Sequence, residues 1–259
     1  MLRTTTLTAD LSGKVIFITG CTSGFGVRFA KVLAHAGAKV AITGRREERL
    51  EAVKAEIEAA GGTVFATAMD VTDEADLNRA FDETEQALGP IDIVINNAGV
   101  SVDTVAINYT AEDYDYVMNT NTRAVFLATT EHARRLKARG AEGTVISISS
   151  IGSHTVLKGN AVYCMSKAAV SMMTETLARE YAKFGINVVG IAPGYIETEI
   201  NSDWYKTEKG NKQVMSFPRR RLGDIDDLDG VLLLLCSDEA RIISGTTITV
   251  DDAQSKTGI

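Results

Sequence analysis

Short runs of apolar and β-branched residues recur along the whole chain, most of them followed by a stretch whose apolar positions fall at helical spacing. KVIFIT at 14–19, KVAIT at 39–43, TVFATAMDV at 63–71, IDIVINNAG at 91–99, GTVISISS at 143–150, NVVGIAPG at 187–194 and TTITVDD at 246–252 make seven such runs. Strands that read as near-continuous apolar residues have both faces covered, and the helical stretches between them supply the cover. The pattern predicts an α/β fold: a doubly wound, mostly parallel, seven-stranded sheet with helices on both faces. No Pro/Gly/Ser-rich linker or compositional break divides the 259 residues, so 1–259 reads as a single domain. Its longest irregular stretch, 195–221, follows a strand end and is read as a substrate loop or lid.

Charge and cysteine usage narrow the function. Twenty-seven basic against 34 acidic side chains give a formal charge of −7 with no dense Lys/Arg face, which argues against a nucleic-acid partner. The apolar run VLLLLC at 231–236 is far below the roughly 20 residues of a membrane helix, and MLRTTTLTADLSGK at the start lacks a signal-peptide core. A cytoplasmic protein without membrane contact is the expectation. Cys21, Cys164 and Cys236 form no ligand-spaced cluster with His35, His132 and His154, so neither a disulfide framework nor a metal site is expected. What remains is a small-molecule task.

The first predicted strand runs into TGCTSGFG at 19–26, which sets Gly20, Gly24 and Gly26, with Thr22, Ser23 and Phe25 between them, ahead of a helix. Glycines there allow the tight turn and a close approach of backbone to a pyrophosphate, and the helix N-terminus offers unpaired N–H groups. An ordinary strand-to-helix turn has the same glycines; the repeated α/β units around this one favour a dinucleotide site. After the second strand the chain reads Gly44, Arg45, Arg46, with no carboxylate where one would accept from an NAD ribose. Guanidinium forks suit a 2′-phosphate, so NADP(H) is favoured over NAD(H), unless the two arginines merely pair with Glu47–Glu51. Asp70 is placed to accept from the adenine amino group with Val71 beside the ring. Asn97, Ala98 and Gly99 bring small side chains to the end of the fourth strand.

Tyr163 and Lys167 stand four apart in AVYCMSKAAV and so share a helix face. An ammonium beside a phenol favours the phenolate and lowers its pKa, which makes Tyr163 a candidate acid or base. Ser150, thirteen positions earlier at a strand end, is a candidate donor to a carbonyl oxygen, or else a simple cap.

Taken together and in order, these motifs resemble the classical short-chain dehydrogenase/reductase family over nearly the whole chain, with a Rossmann-type fold. TGCTSGFG, Asp70-Val71, NNAG at 96–99, Asn121 in YVMNTNTRAVF, Ser150 in ISISS, YCMSK at 163–167 and IAPGYIET at 191–198 carry the likeness. The resemblance implies hydride transfer between nicotinamide C4 and a carbonyl carbon. It gives Tyr163 as proton donor or acceptor, Ser150 as orienter of the carbonyl oxygen, and Lys167 as holder of the nicotinamide ribose that lowers the tyrosine pKa. Asn121 would support that lysine through a water-linked relay, and Pro193, Gly194, Ile196 and Thr198 would flank the nicotinamide. VDDAQS at 250–255 departs from the pattern, having Asp252 and Ala253 where a glycine pair commonly follows the last strand.

The substrate wall is expected from Ser153, His154, Tyr195, Trp204, Tyr205, Met215 and Phe217, which suits a moderately apolar ketone, aldehyde or secondary alcohol. Lys206, Lys209 and Arg219–Arg221 leave a 3-oxoacyl or gluconate-type sugar-acid substrate open, and a non-catalytic nucleotide-binding scaffold is the alternative of another class. Small and apolar residues cover more than one stripe of MSKAAVSMMTETLA at 165–178, which together with the resemblance points to a homotetramer, or a dimer.

Overall fold

The computed structural model describes residues 9–199 and 201–256. Its seven strands are β1 (Val15–Ile18), β2 (Lys39–Gly44), β3 (Thr63–Ala68), β4 (Ile93–Asn96), β5 (Gly143–Ile148), β6 (Ile186–Pro193) and β7 (Thr247–Val250). They pair in the order β3-β2-β1-β4-β5-β6-β7 and every pairing is parallel, so the expected mostly parallel sheet is parallel throughout the described residues.

Side-chain alternation along the strands divides the core in two. Ile16 and Ile18 of β1, Val40 and Ile42 of β2, Ile93 and Ile95 of β4, and Val189 and Ile191 of β6 face one side. There they meet α1 (Gly24–His35), α2 (Glu47–Ala59) and α9 (Asp229–Cys236), through residues such as Phe29, Leu50 and Leu232. Phe17, Ala41 and Val94 face the other side and meet α3 (Glu74–Leu88) and α5 (Ala124–Arg139). Farther along that face Val145 and Val188 pack on α5 and α6 (Ala161–Tyr181). Phe17 and Phe81 are fully buried with ring centroids 4.5 Å apart, and each contributes about 2 kcal/mol of burial. The remaining helices are α4 (Ala111–Met118), α7 (Ser202–Tyr205) and α8 (Glu208–Ser216). Among the described residues no helix is long and apolar enough to cross a membrane.

Two buried polar groups shape the stability. Arg28 of α1 makes a forked ion pair with Asp229 of α9, Nε to Oδ1 at 3.1 Å and Nη2 to Oδ2 closer still, and the Asp229 side chain is 1% exposed. Removing one partner strands a buried charge. Arg28→Ala is therefore expected to cost about 3–5 kcal/mol in urea unfolding, much of it recovered when Arg28→Met is combined with Asp229→Leu.

His132 of α5 is fully buried, with Nε2 3.3 Å from the Asp92 carbonyl and Nδ1 without a hydrogen-bond partner. Burial, reinforced by Arg139, pushes its pKa down from 6.5 to about 3. The unfolded chain thus takes up a proton near pH 6.5 that the folded chain refuses. This contribution to stability is complete above that pH and falls by about 1.4 kcal/mol per unit as pH drops toward 3. His132→Leu should flatten that part of a plot of urea midpoint against pH; an unchanged slope would refute the assignment.

Candidate active site

Because all strands run the same way, their C-terminal ends line one edge, and β1 lies between β2 and β4 where the chain reverses its direction of travel across the sheet. The turn from β1 into α1 is built by contact. Gly20 has φ +75° and a Cβ there would sit 2.8 Å from the Ala98 Cα; a Cβ on Gly26 would lie 2.2 Å from the Gly20 carbonyl oxygen. Gly24, at φ +55°, opens the helix. Thr19 clasps the neighbouring strand end: its Oγ1 accepts from the N–H groups of Asn97 and Ala98, both at 3.0 Å, and its carbonyl accepts from Asn97 Nδ2 at 2.8 Å.

The first turn of α1 fits a phosphate group. Its N-cap Ser23 makes no side-chain cap and no acidic residue lies in that turn, whereas Asp73 caps α3 by accepting from the N–H groups of Ala75 and Asp76. Arg46 folds over the same loop, donating to Thr22 Oγ1 at 2.7 Å and to Ser23 Oγ at 3.2 Å. Gly44 follows from this packing, since a Cβ there would lie 2.7 Å from Thr22 Cγ2. Arg45 is exposed, and among the described residues neither arginine pairs with a carboxylate of α2. Asp70 turns one oxygen, Oδ1, to the N–H and hydroxyl of Thr72 at 2.9 and 2.7 Å, while Val71 leans on the β1–β4 core.

The residues predicted to react meet at the end of β5. Lys167 is buried and donates from Nζ to the Ile148 carbonyl at 2.8 Å, which leaves two of its three N–H bonds for other acceptors. Burial lowers its pKa to about 8. Nζ also lies 5.6 Å from the Tyr163 ring centroid. Ser150 accepts at Oγ from the Gly152 N–H at 3.0 Å, which leaves its hydroxyl proton to point toward the neighbouring Tyr163 phenol, whose pKa it lowers. The phenol differs from the sequence expectation. Burial raises its pKa, and the Ser150 hydroxyl offsets only part of that. In this state the phenol is held protonated.

Asn121 is fully buried in a π-helical turn, Asn119–Arg123, between α4 and α5. Its Oδ1 accepts from the Val100 N–H at 2.8 Å and its Nδ2 donates to the Val100 carbonyl at 2.9 Å and to Ser166 Oγ at 3.0 Å. Ser166 in turn donates to the Tyr163 carbonyl at 2.7 Å. A Cβ on Gly99 would be 3.5 Å from both Asn121 Oδ1 and Lys167 Nζ, so these groups converge on that glycine. Sequence reasoning missed Ser166, whose only signal was its place inside the Tyr-to-Lys turn, and missed the π-turn, which has no periodic signature.

Beyond β6, Pro193 pairs with Val250 and Gly194 and Ile196 begin the outward path; the Thr198 N–H donates to Asn201 Oδ1 at 2.8 Å. The region read as irregular contains two helices, α7 and α8, packed so closely that a Cβ on Gly210 would meet the Trp204 carbonyl oxygen at 2.1 Å. Tyr195 stacks on buried Phe217 at 4.9 Å and lies near enough to Tyr163 to add to its upward shift; burial raises the Tyr205 pKa to about 12. Trp204 and Met215 stay about half exposed, and His154 is exposed with Nδ1 on Ser153 Oγ at 3.1 Å. Cys164 is partly buried beside this group.

A family model described as short chain dehydrogenase matches residues 14–209. The chain is a short-chain dehydrogenase/reductase. It is 33% identical over 243 residues to gluconate 5-dehydrogenase of Gluconobacter oxydans (strain 621H), covering 93% of this chain and 94% of that one. It is 32% identical to the NADP-dependent (R)-specific alcohol dehydrogenase of Lentilactobacillus kefiri, over 95% and 98% of the two chains. The structure of a gluconate 5-dehydrogenase from Burkholderia cenocepacia J2315 in complex with NADP and tartrate superposes with a TM-score of 0.90 at 31% identity, over 96% and 99%. As a short-chain dehydrogenase/reductase, the protein is an NAD(P)-dependent oxidoreductase that interconverts carbonyl and alcohol groups.

Proposed function

We propose that this short-chain dehydrogenase/reductase uses NADP(H) to reduce a neutral ketone or aldehyde, or to oxidise the corresponding secondary alcohol, with Ser150, Tyr163, Lys167 and Asn121 as its working residues. The observation that carries the proposal is the Ser150–Tyr163–Lys167 arrangement at the end of β5, with the Ser150 hydroxyl beside the Tyr163 phenol and the buried Lys167 ammonium 5.6 Å from its ring centroid. When bound, the nicotinamide supplies or accepts the hydride. Ser150 donates to the carbonyl oxygen, and Tyr163 gives that oxygen its proton in reduction and takes it back in oxidation. Lys167 has two remaining N–H bonds that would hold the ribose hydroxyls, and Asn121, tied to Val100 and Ser166, keeps the lysine pocket in register.

NADP(H) is favoured because Arg46 lies across Thr22 and Ser23 at the end of β2, Arg45 is free to join it, and the packing at Gly44 excludes a carboxylate there. Asp70 and Val71 would hold the adenine; Gly20, Thr22, Ser23, Gly24, Phe25 and Gly26 the pyrophosphate; Asn97, Ala98 and Gly99 the ribose side; and Pro193, Gly194, Ile196 and Thr198 the nicotinamide. A neutral substrate is favoured over a sugar acid because three of the five cations named for the segment, Lys206, Arg219 and Arg221, are already matched. Lys206 pairs with Asp203 at 2.9 Å, and Arg219 and Arg221 pair with Asp252 at 3.3 and 2.9 Å. The stacked Tyr195 and Phe217 then give the wall an aromatic character. Exposed Tyr114, Tyr116, Phe126, Met165 and Met172 on α4, α5 and α6 support the homotetramer reading, with a dimer as the smaller assembly.

NADPH oxidation measured across neutral ketones, diketones and oxo-acids tests the substrate class: the neutral compounds should turn over, and a preference for oxo-acids would overturn it. Tyr163→Phe should lower kcat by about 10²–10⁴-fold while NADPH binding, read by fluorescence, is retained. Arg46→Ala should weaken NADPH about tenfold and leave NADH little changed; equal losses for both would show that the guanidinium does not meet a 2′-phosphate.

A further inference from the structure

The excursion that leaves the sheet after β6 has a narrow neck. On the way out run Tyr195, Ile196 and Glu197; on the way back, Arg221 to Gly223. The two legs touch through the Gly223 N–H on the Tyr195 carbonyl and the Glu197 N–H on the Gly223 carbonyl, both 2.9 Å. Two backbone bonds are a weak tie for a segment of this length, and a third element reinforces them.

That element is the turn after β7. Asp251 organises it, accepting from the N–H groups of Ala253 at 3.0 Å and Ser255 at 2.8 Å. The turn buries the Gln254 side chain between the legs: Oε1 accepts from the Tyr195 N–H at 2.6 Å, and Nε2 donates to the Tyr195 carbonyl at 3.3 Å and the Arg221 carbonyl at 3.4 Å. One amide thereby spans both sides of the neck. Gly194 admits it, since a Cβ there would lie 2.3 Å from Gln254 Oε1. From the outer side Asp252 holds Arg219 and Arg221 by ion pairs.

The backbone bears a cost for this. Asp252 and Ala253 have φ +50° and +62°, the left-handed region that favours glycine, at the two positions where a glycine pair was expected. A glycine at 252 would relieve the conformation and would also delete the carboxylate that grips both arginines.

We propose that the Asp251–Gln254 turn is a bolt that fixes the neck of the excursion, and that Gln254 and Asp252 are positioning residues for the substrate. They set where Tyr195 and Phe217 stand relative to Tyr163 without touching the reacting atoms. The proposal rests on the reading of 195–221 as the segment that covers the substrate.

Hydrogen exchange followed by mass spectrometry on the full chain, together with steady-state kinetics on a neutral ketone such as cyclohexane-1,2-dione, tests it. Gln254→Met keeps the volume and removes the amide. It should speed exchange about tenfold in peptides spanning 195–197 and 221–223, leave β1 to β4 unchanged, and raise the ketone KM about fivefold with kcat and NADPH affinity nearly constant. Asp252→Gly should speed exchange on the 221–223 leg while thermal stability holds or rises. Neck exchange unchanged in both variants would overturn the bolt. Exchange that accelerates across the whole sheet would reduce Gln254 to a structural residue and overturn it too. Faster neck exchange with an unchanged KM, or with no turnover of the ketone by the parent protein, would leave the neck anchored as described and overturn substrate positioning, locating the failure in the reading of the excursion.

Discussion

Parallel pairing obliges every strand of this sheet to finish on the same edge, and each finish leaves carbonyl and N–H groups that the ladder no longer serves. The site is made from how those groups are satisfied. Thr19 and Asn97 join the ends of β1 and β4, Lys167 takes the Ile148 carbonyl at the end of β5, and Gly194 at the end of β6 ties back to Val250. Groups left over, such as the N–H bonds at the start of α1 and two N–H bonds of Lys167, are the ones a ligand can use. Binding capacity and structural satisfaction are thus the same inventory, divided between what the protein completes and what it leaves open.

Features with a short-range physical signature were legible in the sequence. The central apolar runs were visible because burial on both faces leaves no polar alternation to read, the edge strands β3 and β7 by their β-branched residues, and Tyr163 and Lys167 declared themselves by a spacing of four. The glycines of TGCTSGFG were legible as a turn, but the reason for Gly26, an approach within 2.2 Å of the Gly20 carbonyl oxygen for any added Cβ, needed coordinates. Gln254 was hidden altogether, since its partner Tyr195 lies 59 positions away and glutamine carries no pattern of its own. The direction of the Tyr163 shift was also out of reach: spacing places the lysine on the same face, and only the fold shows how deeply the phenol is buried.

Local rules fail at the C-terminal turn, at Arg220 with φ +52° and at the π-turn around Asn121, and all three sit against the candidate site or the segment beside it. Elsewhere the chain obeys its propensities: Asp73 caps α3, Thr110 and Asp113 form a reciprocal cap on α4, and Gly140 ends α5 in the left-handed region. Departures concentrated near one edge of the sheet are the pattern expected when backbone irregularity serves a site while the rest of the fold supports it.

The sheet order also dictates a sequence of events during synthesis. β1 emerges first yet ends up in the middle, and its second neighbour, β4, begins 75 residues after β1 itself ends. Until β4 arrives, β1 carries a bare hydrogen-bonding edge, even though α3 can already cover Phe17, and β5 and β6 pair outward from β4. The nascent chain therefore cannot close its central crevice early. The central edge of the sheet is complete only when the fourth strand docks, so the middle of the finished protein is the last part of its first half to lose an unpaired strand edge.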